Sequence, residues 1–72
     1  MIELDTSGLS CPMPVLKAHK YLSGVEAGTV FKLIATDSDT CTDVPTFVKT
    51  TNNELVSQTN EEGRFVFIIR KL

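Results

Sequence analysis

Gly8-Leu9-Ser10-Cys11-Pro12-Met13-Pro14 constrains this 72-residue chain more than any other stretch. Two prolines separated by one residue are incompatible with a helix interior or a central strand. They are tolerated where a helix begins, because the first backbone N–H groups have no intrahelical partner to lose. Strand-like alternation precedes the stretch and helical periodicity follows it. Cys11 is therefore expected at the mouth of a helix, beside free N–H groups and the positive end of the helix dipole, where a thiolate is favoured. Cysteine is not among the good N-caps, so capping alone does not account for it.

The flanking pattern predicts the order β-α-β-α-β-β. Met1 to Asp5 alternates, with Ile2 and Leu4 on one face and Glu3 and Asp5 on the other. From Pro12, the apolar positions Val15, Ala18, Leu22 and Val25 form a helical stripe, which Gly24 and Gly28 stop near Ser23. Thr29 to Thr36 is apolar on both faces and reads as a central strand. A polar, acidic connection follows. Thr40 to Asp43 has the form of a capping box, but a helix begun at Thr40 would enclose Pro45, so Asp43 is the expected N-cap. Val44, Phe47 and Val48 give this second helix its apolar face, and Asn52-Asn53 ends it. Glu54 to Thr59 and Arg64 to Lys71 form a hairpin across a loop at Asn60 to Gly63. The expected fold is α+β, a two-layer α/β sandwich in which two helices cover one face of a four-stranded mixed sheet. The other face should carry several of Val30, Ile34, Val66 and Ile68.

A chain of this length forms one domain, residues 1–72, and has no room for a two-lobed active-site cavity. Its net charge of −2 argues against direct nucleic-acid binding. No apolar run approaches the ~20 residues of a membrane span, and Met-Ile-Glu-Leu-Asp lacks the features of a signal peptide. A cytoplasmic location is the expectation, with Cys11 and Cys41 as free thiols. Cys41 has two readings, a thiol at a helix start and a second thiol acting with Cys11. His19 lies eight residues beyond Cys11, about 12 Å along a helix, which is too far for a partner base. The spacings fit no zinc pattern, and neither metal nor cofactor is expected. Asp37, Asp39 and Asp43 suit turn and cap roles. Placed near Cys11, they would oppose the helix dipole and raise the thiol pKa.

Leu4-Asp5 followed by Gly8 to Pro14 resembles the signature of the TusA (SirA-like) sulfur carrier family. The likeness continues through Gly28, Val30 to Ala35, Asp37, Asp43-Val44-Pro45, Phe47 and Ile68 to Lys71, so it spans nearly the whole chain. The resemblance implies that Cys11 carries sulfane sulfur as a persulfide, with Pro12 and Pro14 starting the supporting helix. It implies a desulfurase or rhodanese-like donor and an acceptor in tRNA thiolation, molybdenum cofactor maturation or another sulfur pathway. Such a chain is a carrier more than a turnover enzyme, and a monomer is expected. Thr36-Asp37-Ser38, Thr42 and Asn52-Asn53 depart from common family patterns and bear on which partners are used. Two other functions fit the residues. One is a thiol redox module using Cys11 and Cys41, and the other is an interaction domain using the open sheet face.

Overall fold

Alternation and helical stripe resolve into β1 (Ile2–Thr6), α1 (Met13–Ser23), β2 (Val30–Ala35), α2 (Thr40–Thr50), β3 (Glu54–Glu61) and β4 (Arg64–Arg70) in a computed structural model describing residues 1–72. The four strands form one sheet in the order β1-β2-β4-β3. β1 and β2 are parallel, as a crossover through α1 requires, and the two remaining pairings are antiparallel. The two central strands are the two that are apolar on both faces.

Both helices lie on the same side of the sheet. Ala18 and Leu22 of α1 and Val44 and Val48 of α2 pack with Phe31, Leu33, Phe67 and Ile69 from the central strands. Each of the seven larger side chains, all but Ala18, contributes about 1.5–3 kcal/mol when moved out of water, before entropy is counted. On the opposite face Ile34 and Val66 oppose each other across β2 and β4 and are nearly buried without a second layer. Val30 and Ile68 are half-buried. Glu3–Lys32 and Glu54–Arg70 ion pairs flank them on that face. No helix is long and apolar enough to cross a membrane.

β2 is trimmed by a residue at each end and β4 by one at its C-terminal end, and the boundaries of α2, β3 and β1 also differ from expectation. α2 starts at Thr40, one turn before Asp43, and encloses Pro45. Proline removes the N–H that would meet the Cys41 carbonyl, and the Gln58 side-chain amide of β3 donates to that carbonyl instead at 3.4 Å. Asp43 is thus no cap, and its carboxylate is free for another partner. β3 runs two residues past Thr59, which shortens the expected four-residue loop to Glu62-Gly63. Both have positive φ, 53° and 83°, as a tight hairpin turn requires. Gly63→Ala meets no atom within 4 Å, so its cost is conformational. It is expected to lower stability by about 1 kcal/mol, read as a lower urea midpoint at unchanged slope. β1 begins at Ile2 and ends at Thr6, one residue later than expected, with the Thr6 side chain buried.

α2 ends as its asparagines predict. Asn52 takes a left-handed φ of 59°, and the Asn53 N–H reaches back to the Val48 carbonyl at 2.9 Å. At the end of α1, the Lys71 ammonium donates to the Leu22 and Val25 carbonyls at 2.7 and 2.6 Å. A cation is favoured at a helix C-terminus, and this one ties β4's end to α1.

Candidate functional site

Parallel pairing of β1 and β2 brings the loops that follow them to the same end of the sheet. Gly8, with φ 81°, turns the chain out of β1 and donates its N–H to Thr36 Oγ1 at 2.8 Å. The Cys11 N–H then donates to Asp37 Oδ2 at 2.6 Å. Asp37 also accepts the Asp39 N–H at 3.1 Å, and these two donors hold its carboxyl below the usual carboxylate range. Further back, the buried Thr6 hydroxyl donates to the Ile34 carbonyl. The cysteine loop is therefore fastened to the β2–α2 connection at successive points.

Pro12 is the N-cap of α1, and Pro14 is buried within its first turn. Cys11 stands one residue ahead of the cap, with its thiol exposed. The sequence places this thiol against the N–H groups of α1. The structure turns it toward α2 instead, where Sγ donates to Asp43 Oδ2 at 2.8 Å. That hydrogen bond, with desolvation and the negative charges of Asp43, Asp39 and Asp37, pushes the thiol up to about 11. Helix dipole and acidic cluster compete at Cys11, and the cluster prevails. A dipole is worth a fraction of a charge, whereas three carboxylates act on the sulfur, one of them in direct contact.

Cys11 opens onto a cleft of about 370 Å³ between α1 and α2. Pro12, Val15 and Phe47 supply its apolar surface, and Asp43, Thr46 and Thr50 its polar side. Met13 and Leu16 leave large apolar side chains 40% and 51% exposed on the first turn of α1. His19 is not at the thiol. It packs edge-on against Phe47, with ring centroids 5.8 Å apart. Cys41 is a half-buried free thiol in the first turn of α2. The sequence left open whether the acidic cluster reaches Cys11, and the structure places Asp43 on its thiol. The parallel β1–β2 order carried the signal, since it predicts that the two following loops converge.

The comparisons with known proteins agree with this architecture. A family model described as "Sulfurtransferase TusA" matches residues 2–71. The chain is 46% identical over 69 residues to the sulfur carrier protein TusA of Allochromatium vinosum, covering 96% of this chain and 91% of that protein. It is 44% identical over 68 residues to the sulfur carrier protein TusA of Pseudomonas entomophila, covering 94% and 85% of the two chains. A SirA-like protein from Desulfitobacterium hafniense has the same fold, with a TM-score of 0.86, 24% identity and coverage of 97% and 96%. With its whole length from Ile2 to Lys71 accounted for, the chain belongs to the TusA sulfur carrier family.

Proposed function

We propose that Cys11 is the residue on which this carrier holds sulfur. The observation that carries the reading is the exposed Cys11 thiol, fastened by its own N–H to Asp37 and opening onto the α1–α2 cleft. A persulfide on a donor protein, R–S–SH, presents its terminal sulfur. The Cys11 sulfur attacks it, the new Sγ–S bond forms, the donor S–S bond breaks, and the donor leaves as a thiol. The product is Cys11–S–SH, with no net oxidant consumed. Delivery is the same exchange in reverse sense, with an acceptor thiolate attacking the terminal sulfur and Cys11 leaving. The donor is a cysteine desulfurase or a rhodanese-like protein. The acceptor belongs to tRNA thiolation, molybdenum cofactor maturation or another sulfur pathway.

Pro12 and Pro14 stiffen the platform from which the thiol projects. Incubation with a cysteine desulfurase and cysteine is expected to add one sulfur, about 32 Da, as a persulfide. Cys11→Ser is expected to abolish the gain, and Cys41→Ser to leave it intact. Sulfur gained by Cys11→Ser would overturn the assignment.

A further inference from the structure

Any protein that exchanges sulfur with Cys11 must bring its own sulfur within bonding distance of Sγ. The residues flanking its cysteine then fall on the cleft and its rim, since an extended chain advances only about 3.3 Å per residue. The surroundings of the thiol are acidic on the α2 side. Asp37 and Asp39 come from the β2–α2 connection and Asp43 from α2, and all three act on the thiol. α1 offers its N-terminal dipole, and its first basic side chain, Lys17, stands six residues beyond Cys11. The thiol is thus surrounded by negative charge on the polar side of a cleft whose other side is apolar.

We propose that the cleft between α1 and α2 receives a protein segment whose sulfur-exchanging cysteine stands beside a lysine or arginine, and that this cation pairs with Asp43 and draws it off the Cys11 thiol. The proposal rests on the reading of Cys11 as the sulfur-bearing residue. Charge complementarity selects the occupant. An acidic segment meets three carboxylates, whereas a basic one exchanges Asp43's bond to a neutral thiol for a charge-assisted pair. Alone, the thiol near 11 is ionised in only about one molecule in ten thousand at pH 7. A cation seated at Asp43 removes the largest cause of that suppression and favours the thiolate directly. The carrier is quiet in solution and reactive against a partner of the right charge.

Two short peptides test this, one with its cysteine flanked by arginines and one by glutamates, each activated as a mixed disulfide with thionitrobenzoate. The Cys11 sulfur bonds to the peptide sulfur, the peptide–thionitrobenzoate S–S bond breaks, thionitrobenzoate leaves with the electron pair, and the thiol proton passes to buffer. The released thionitrobenzoate absorbs visible light and gives the rate. The basic peptide is expected to react at least about tenfold faster, with a ratio that shrinks as salt is raised. Asp43→Asn is expected to collapse most of that ratio. Glu26→Gln, which makes the same change in net charge in the connection beyond the far end of α1, is expected to leave it intact. Equal rates, a faster acidic peptide, an unchanged ratio in Asp43→Asn or an equal fall in Glu26→Gln would each overturn the proposal. Peptide exchange reads the surroundings of Cys11 whether or not that residue carries sulfur. Its failure is therefore distinct from a failure of sulfur loading.

Discussion

Phe31→Ala is expected to lower stability by about 3–5 kcal/mol, and in a domain of this size that is a large share of what there is. Phe31 is fully buried near the start of β2, between Ile2 of β1 and Ile69 of β4 in register. Its ring lies against Tyr21 of α1, with centroids 4.8 Å apart. Truncation leaves a cavity that no neighbour can fill without moving a helix, because Leu33, Phe67 and Ile69 are themselves fully buried and held by the sheet. At about 0.05–0.15 kcal/mol per residue, the whole chain has roughly 4–11 kcal/mol to lose. Urea denaturation is the measurement. Val56→Ala provides the contrast, since Val56 is the extra residue of a bulge in the edge strand β3 and is 44% exposed. Its change is expected to stay within about 0.5 kcal/mol. Similar midpoints for the two variants would mean that the core is not organised around Phe31.

Asp43→Asn is expected to increase the rate at which iodoacetamide alkylates Cys11 at pH 7 by up to about tenfold, as two opposing effects combine. Removing the carboxylate removes the hydrogen bond that most favours the neutral thiol, while Asp39 and Asp37 remain. The thiol pKa therefore falls from about 11 toward its ordinary value. The whole shift is about two pH units, so losing the Asp43 share of it multiplies the thiolate population by at most roughly a hundredfold. Each less basic thiolate is, however, roughly tenfold less nucleophilic. The pH profile separates the two effects. In the wild type the rate should rise by about tenfold per pH unit through neutrality and level off only near 11. In Asp43→Asn the plateau should arrive earlier and stand lower. Peptide mapping distinguishes Cys11 from Cys41, and superimposable profiles would show that Asp43 does not govern the thiol.

Much of the fold was legible because its signals are local. The change of period at Pro12, the doubly apolar runs around Phe31 and Phe67, and the asparagine stop at Asn52 each determine an element from adjacent residues. The start of α2 was misread because the cost of Pro45 is offset elsewhere. Its orphaned carbonyl finds Gln58, seventeen residues on, and no local rule anticipates that bond. The site divides in the same way. Cys11 and its prolines are recognisable as a motif, and the resemblance it carries is upheld by the family match. Whether the thiol is tuned up or down depends on Asp43, thirty-two residues away, and on which of two helix ends the sulfur faces. Sequence supplied both competitors, and only the geometry ranks them.

The bond from Thr6 to Ile34 closes the parallel pairing of β1 and β2, and those from Gly8 to Thr36 and Cys11 to Asp37 continue it beyond the strand ends. Their consequence is thermodynamic. Ordering a flexible loop on binding costs conformational entropy, typically about 0.5–1.5 kcal/mol for each side chain immobilised. Here the thiol loop is already ordered when the carrier is alone, so docking forfeits little of that freedom on this side. The adaptation falls to whichever partner arrives. A preorganised surface of this kind can be shared among dissimilar proteins in succession, since none of them has to remake it.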